Sequence, residues 1–366
     1  MENFRTRVKL IRMYLMAKIK TTFKDALNLA LVQEMERDET VFTYGIGVPD
    51  HKKIFGTTAN LVEKFGPERC FDTPLSEDAL TGMALGAAIN GMRPILVHMR
   101  VDFSLLAMNQ LINQISAFRY ISNGEFKVPI VIRNIIGRGW GQGSQHTKTM
   151  QSLFAHIPGL KVVMPTTIED AKGLTAAAIR DDNPVMLMEH RWLYYAEGEV
   201  EEEPFVLPLD KANKLRDGKD VTIVATSWMN VEAMRAAEIL SKHGVEVEVI
   251  DARCISSVDM ETIGKSVEKT CKCIIADYDW VHCGFSAELA AQIYDHMSVN
   301  VPYFSFKLNR LGFAHTPCPT ARHLENEFYP NSTSIIRAVE EMLGMEEINL
   351  HGEEFYSYEN KFKGPF

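Results

Sequence analysis

The sequence predicts an α/β protein built of two doubly wound, mostly parallel-sheet domains. Three observations carry that expectation. The chain has 366 residues, about twice the usual length of one domain at roughly 150 residues each. Short runs rich in Ile, Val and Leu, without period-two alternation, are separated by stretches of helical apolar spacing, the pattern of a parallel sheet covered on both faces. The alternation breaks once: between 197 and 203 five glutamates stand in seven residues, followed by Pro204 and Pro208, a composition that suits a solvated linker.

Element by element, Phe23, Leu27, Ala30, Leu31 and Met35 recur at helical spacing, and Val41 to Tyr44 then reads as a short buried strand. The same reasoning predicts a helix at 77–89, a strand at 94–98, a helix at 105–120 and strands at 129–133 and 161–163. A helix at 167–180 and a strand at 185–189 complete the first half. Beyond the break come strand 221–225, helix 231–242, strand 245–250, helix 260–269, strand 273–276, helix 287–296 and a last helix at 334–343. The expected division is an extension at 1–15, a first domain at 16–203, a second at 204–345 and a polar tail at 346–366.

Hydrophobic residues make up 46% and charged residues 24%, enough for a core without disulfide staples. Lys and Arg total 39 against 48 Asp and Glu, a formal charge of −9, so no global field attracts nucleic acid or anionic lipid. The six cysteines include no Cys-x-x-Cys, which argues against a zinc cage and suits reduced thiols. No run approaches the ~18 uninterrupted apolar residues of a membrane span. A cytoplasmic protein with neither nucleic acid nor membrane as partner is the expectation. Residues 1–20 carry six basic side chains against Glu2. Their apolar run is too short and too interrupted for a secretory leader, and the segment reads as an extension ahead of a domain opening near Met16.

Two segments concentrate chemistry. Asp72-Thr73-Pro74-Leu75-Ser76-Glu77 leads into a helix rich in small residues, Gly82, Gly86, Ala87 and Ala88. Locally, Ser76 reads as a helix N-cap and Glu77 as a first-turn acid favoured by the helix dipole. The run Gly137-Arg138-Gly139-Trp140-Gly141-Gln142-Gly143-Ser144-Gln145-His146 sets four glycines at alternate positions and ends in a histidine. It is neither Gly-x-Gly-x-x-Gly nor a P-loop. A loop after a strand is where open α/β sheets place ligands, which singles out His146; His98, His156 and His190 read as structural.

Together these segments, with Asp102-Phe103, Leu105-Leu106-Ala107, Gln110 and the run from Phe154-Ala155-His156-Ile157-Pro158 to Val163, resemble the beta subunit of thiamine-diphosphate-dependent 2-oxoacid dehydrogenases. Pyruvate, branched-chain and acetoin dehydrogenases are of that group. The resemblance spans about 16–343 and includes Asp182-Asn183-Pro184-Val185, Arg310 and His315-Thr316-Pro317. It implies a transketolase-like pyrimidine-binding domain followed by a transketolase C-terminal-like domain that serves mainly in self-association. A glutamate in the position of Glu77 hydrogen-bonds the 1′-nitrogen of the cofactor's aminopyrimidine, and proton sharing there leads to deprotonation of the thiazolium carbon. Burial, which favours a neutral carboxyl, must then outweigh the helix terminus, which favours a charged one. Phe103 matches the aromatic that stacks on that ring, and His146 the histidine beside the substrate, suited to proton transfer near neutral pH. Backbone carbonyls near Val128, Ile130, Val131, Ala178, Asp181 and Asn183 match a structural potassium site of some relatives.

The resemblance further implies a partner. The chain has no Gly-Asp-Gly followed some thirty residues on by Asn, so the Mg²⁺-diphosphate half of the site is expected from an alpha subunit, and a lipoyl acyltransferase is a further partner of such complexes. Three departures stand out. Ile46 occupies a position where relatives usually carry an acid, Lys148 stands where Gln is common, and Asn134-Ile135-Ile136 replaces a Pro-containing turn. They leave open an alternative, the pyrimidine-binding subunit of a split transketolase-like enzyme acting on sugar ketols. A noncatalytic assembly subunit and a nicotinamide-dependent enzyme are weaker competitors, disfavoured by Glu77 with His146 and by the missing glycine fingerprint respectively.

Overall fold

A computed structural model describes residues 18–50, 53–138, 141–301 and 305–353. The expected extension at 1–15, Gly139 and Trp140 of the glycine run, and the tail beyond 353 lie outside the described residues.

Strand β1 (Lys18–Thr22) runs directly into helix α1 (Phe23–Arg37), whose start is capped by the Thr22 hydroxyl accepting from the Asp25 N–H at 3.3 Å. Then follow β2 (Val41–Tyr44), α2 (Leu61–Phe65), β3 (Cys70–Phe71), α3 (Glu77–Ile89), β4 (Arg93–His98) and α4 (Val101–Ser104). A 3₁₀ turn at Leu105–Ala107 and a π-helical stretch at Gln110–Ile115 lead to α5 (Ser116–Ile121). The first half ends with β5 (Val131–Ile136), α6 (Gln151–Ala155), β6 (Lys161–Val163), α7 (Ile168–Arg180), β7 (Val185–His190) and β8 (Glu197–Glu201).

Six of these strands form one sheet in the order β3-β2-β4-β5-β7-β6, every neighbouring pair parallel. The chain steps from β2 to β3 on one side and to β4 on the other. A topological switch point therefore falls between the carboxyl ends of β2 and β4, where such sheets open a ligand crevice.

The second sheet draws on β9 (Asn213–Arg216), β10 (Val221–Ala225), β11 (Val247–Asp251), β12 (Lys272–Trp280) and β13 (Lys307–Phe313), in the order β13-β12-β10-β11-β9. Only β9 is antiparallel to its neighbour. Its helices are α8 (Trp228–Lys242), α9 (Met260–Thr270), α10 (Phe285–Asn300), α11 (Arg322–Phe328) and α12 (Ser332–Leu343). The cores are continuous: one buried apolar cluster joins Leu27, Ile95 and Val131 to Ile223, Trp228 and Tyr278.

The glutamate-rich stretch is not a loose linker. Residues 197–201 pair antiparallel with β1, setting Glu201 against Lys18 and Glu199 against Lys20, and opposite charges across a strand pair are mutually stabilising. Lys172 of α7 donates to the carbonyls of Glu202 and Glu203 at 2.8 Å each. The expected helix at 105–120 is divided among three helical forms, and the strand expected at 129–133 starts two residues later, after Pro129, which has no N–H for a ladder.

Candidate active site

The loops at the switch point are drawn together by a glycine and an aspartate. Gly45 follows β2 with φ +145°, and a Cβ there would stand 2.4 Å from the Val97 carbonyl oxygen of β4, so no side chain fits between the strand ends. Asp72 Oδ1 accepts from the backbone N–H of Gly47 at 2.9 Å and of Thr73 at 2.8 Å. This carboxylate joins the loop after β2 to the segment entering α3. Ser76 sits at the N-cap position of α3, yet its side chain makes no capping hydrogen bond: its backbone, φ −162° and ψ 68°, turns away from capping geometry. That corrects the cap reading, and Asp72 organises the turn instead.

Glu77 opens α3 and is 9% exposed. The helix buries Leu80, Thr81, Ala84, Leu85 and Ala88 behind it, at the spacing of one helical face, and this packing seats Glu77 at the sheet edge. Glu77 and Phe103, the latter on α4, line one cavity of about 120 Å³ together with Gly45, Ile46, Leu80 and His98. Such a volume is well below the ~300–1,000 Å³ of sites that enclose a drug-sized ligand. Its wall sets the Phe103 ring and the Glu77 carboxyl among apolar side chains. His98, read as structural, in fact ends β4 in this cavity wall; the position of a histidine at a strand's carboxyl end was the signal available.

His146 comes from the glycine-rich loop, after a 3₁₀ turn at Gly143–Gln145, and its ring meets Phe103 edge-on with centroids 5.4 Å apart. The structure thus gathers Glu77, Phe103 and His146 at one sheet edge. Arg100, not singled out from sequence, and the pair Lys148 and Asp102 hold the loop there. Arg100, ahead of α4, is buried and donates to the Gly137 carbonyl at 2.8 Å and to Gln142 Oε1. Lys148 Nζ donates to Asp102 Oδ1 at 2.8 Å and also to the Ser144 carbonyl. A cavity of about 580 Å³ abuts the same loop, lined by Gln145 and Lys148 and, from the second sheet's side, by Trp280, His282 and His315.

Of the backbone positions expected to hold potassium, Val128 and Ile130 are joined to the turn between α7 and β7. The Val128 N–H donates to the Asp182 carbonyl at 3.0 Å, the Asp181 carbonyl accepts from Arg93 Nη1 at 3.1 Å, and the Ile130 carbonyl accepts from the Val185 N–H at 2.9 Å. No group of three or more His, Cys, Asp or Glu side chains among the described residues is arranged to hold a metal ion. No helix of the described residues is long and apolar enough to cross a membrane.

Comparison with known proteins places this architecture. Residues 19–196 match the pyrimidine-binding domain of transketolase and 210–335 the transketolase C-terminal domain. The chain is 39% identical to the mitochondrial pyruvate dehydrogenase E1 component subunit beta-2 of Oryza sativa subsp. japonica over 331 residues, covering 89% of this chain and 87% of that one. It is also 39% identical to the beta subunit of the acetoin:2,6-dichlorophenolindophenol oxidoreductase of Cupriavidus necator, covering 87% and 96%. The 2-oxoisovalerate dehydrogenase subunit beta of Bacillus subtilis is 38% identical, with 88% and 98% covered. A solved split-gene transketolase, described as an inactive beta4 tetramer, superposes with a TM-score of 0.71 at 20% identity, over 89% of this chain and 99% of that one. The fold is that of the transketolase-like, thiamine-diphosphate-dependent enzymes. Within them the chain belongs to the family of 2-oxoacid dehydrogenase E1 beta subunits.

Proposed function

We propose that this chain supplies the pyrimidine-binding half of a thiamine-diphosphate-dependent 2-oxoacid dehydrogenase and works with an alpha subunit that brings the diphosphate and Mg²⁺ half. The observation that carries the reading is the switch-point cavity, which pairs Glu77 with Phe103 and has room for one ring of the cofactor but not the whole. Phe103 packs on the ring face. Glu77, at the head of α3, shares a proton with a ring nitrogen, and its burial keeps water from competing for that bond. His146, beside Phe103, moves a proton at the substrate or steadies its carboxylate. When bound, the cofactor supplies the nucleophilic carbon and electron sink for cleavage next to a ketone.

Several finer points belong to the same proposal. The boundary near 203 divides a pyrimidine-binding domain, 16–203, from a second domain, 204–345, that mediates self-association. Potassium is assigned to the carbonyls near Val128, Ile130, Val131, Ala178, Asp181 and Asn183, since a carbonyl oxygen already bonded once keeps a second lone pair. All six cysteines are free, which fits a reducing cytoplasmic setting. A lipoyl acyltransferase is the expected acceptor partner, and the 580 Å³ cavity beside Gln145 and Lys148 is where we expect the acceptor to approach.

A second reading, ketol transfer between sugars, keeps the three site residues in the same roles. Ile46, an apolar side chain in the cavity wall, is the observation that favours it; the degree of identity to dehydrogenase beta subunits weighs against it. The test is assembly with the alpha-type partner, followed by assay with an artificial electron acceptor on 2-oxoacids and, separately, on sugar phosphates. Turnover of a 2-oxoacid that Glu77→Gln abolishes, with the fold intact by circular dichroism, is the expected result. Full activity in that variant refutes the assignment.

A further inference from the structure

The switch-point cavity contains a polar side chain to which the mechanism above gives no task. Among its lining residues only Glu77 and His98 ionise. The imidazole of His98 is 4% exposed, and its Nε2 has no hydrogen-bond partner. In register with it on β5 stands Asn134, whose Nδ2 is likewise buried and unpartnered, while its Oδ1 accepts from the Ser104 hydroxyl. Side chains in register on neighbouring parallel strands point to one face. Here that is the face of Leu96 and Ile132, packed with Leu80 and Ala84 of α3. Two unmet polar atoms in one row across adjacent strands, His98 at the carboxyl end of β4 and Asn134 in register within β5, are costly to keep in a dry interior, and native proteins retain such atoms chiefly where a ligand or water completes them.

We propose that His98 is a second polar contact to the heteroaromatic ring held in this cavity, its Nε2 hydrogen-bonding a ring or exocyclic nitrogen other than the one facing Glu77. The inference rests on reading the cavity as the seat of an aminopyrimidine. Burial pushes the His98 pKa down to about 4, so at physiological pH the ring is neutral and offers one donor and one acceptor. An uncharged aminopyrimidine also carries both kinds of group, and a neutral contact brings no second charge up to Glu77. The strand end fixes the imidazole more firmly than a loop would, and Asn134 stands in register beside it.

The test uses the chain assembled with its alpha-type partner. Thiamine diphosphate is titrated in the presence of Mg²⁺, followed by tryptophan fluorescence, and the near-ultraviolet circular dichroism of the bound aminopyrimidine is recorded at saturation. His98→Phe keeps the ring shape and removes the nitrogen; the expected result is roughly tenfold weaker binding with an altered aminopyrimidine band. His98→Gln restores a donor and an acceptor and recovers most of the affinity. If His98→Phe binds as tightly as the native complex while Glu77→Gln is impaired, the assignment of His98 is overturned and the reading of the cavity stands. If neither substitution changes binding or spectrum, both fall. Should His98→Phe fail to assemble, His98→Asn, too short to reach the ring, carries the same expectation, and unchanged affinity in it overturns the proposal.

Discussion

Three side chains at one sheet edge carry the proposed chemistry, and they are exposed to different degrees for physical reasons. Glu77 is almost covered because α3 buries the face of Leu80, Thr81, Ala84, Leu85 and Ala88 and carries its own amino end down with it. His146 is only partly covered, held edge-on against Phe103, where a substrate can reach it. Replacing His146 with alanine is expected to lower the rate of substrate turnover by roughly 100-fold or more, the ordinary worth of a positioned general acid or base, while leaving thiamine diphosphate affinity within about twofold. Pre-steady-state kinetics alongside a cofactor titration separates the two; equal losses in both would remove His146 from proton transfer. Gly137 shows how tightly this edge is built: with φ +81°, a Cβ there would lie 2.1 Å from the His190 ring. The buried His190 imidazole in turn stacks on Trp228 at 5.4 Å.

Between the residue and the sheet, the element that matters most is the loop from Gly137 to Lys148. Its glycines remove side-chain constraints, so its position depends on Arg100, Asp102 and Lys148, which reach it from the β4–α4 connection and from within the loop. Lys148→Met keeps the stem and cuts both hydrogen bonds of the ammonium group. We expect kcat to fall about tenfold through misplacement of His146, with cofactor affinity unchanged and Lys148→Arg restoring most of the rate; a methionine variant with native kcat would show that the strap is idle. At this scale the sequence was legible where apolar spacing is strong: Val41–Tyr44 and Lys161–Val163 stand as read, and α7 starts one residue after the Thr167 that caps it. Legibility failed where an element is polar. Strand β13 carries Lys307, Asn309 and Arg310 and is only partly covered along most of its length, so no buried apolar run marks it. Strands β1 and β8 are stabilised by facing lysines and glutamates, a pairing between residues almost two hundred positions apart that no local pattern discloses. Motif order anticipated the meeting of Phe103 with His146, and a histidine at the end of an apolar run marked His98, whereas the hold of Arg100 on the glycine-rich loop joins segments that no local pattern connects.

In the whole molecule the second sheet has its own switch point, between β10 and β12, and the first half of the chain reaches into it. Asp277 of β12 accepts from Gln151 Nε2 at 2.7 Å, from the Thr226 hydroxyl at 2.9 Å and from the Ser286 N–H at 3.2 Å. Two residues on, Asp279 accepts from the Ser152 hydroxyl at 3.3 Å and from the Trp280 N–H at 2.9 Å. Helix α6 thus reaches the crevice that a free domain of this kind would offer to a ligand, leaving a cavity of about 700 Å³ beside it, and the two halves are joined through buried carboxyls. Burial pushes Asp277 up to about 6, and burial with the neighbouring Asp277 charge pushes Asp279 up to about 7. Both groups therefore bind protons more readily folded than unfolded. Their contribution to stability is fully present below about pH 4, near the unfolded carboxylate value, and is lost as the pH rises through about 6 and 7. Asp279→Asn removes one titrating group while keeping an oxygen for the Trp280 N–H and leaving Asp277 in place. Its denaturation midpoint should decline less than that of the native protein between pH 5 and pH 8, by on the order of 2–4 kcal/mol in unfolding free energy. Parallel pH curves for the two proteins would mean that the junction does not sense protonation at this carboxyl.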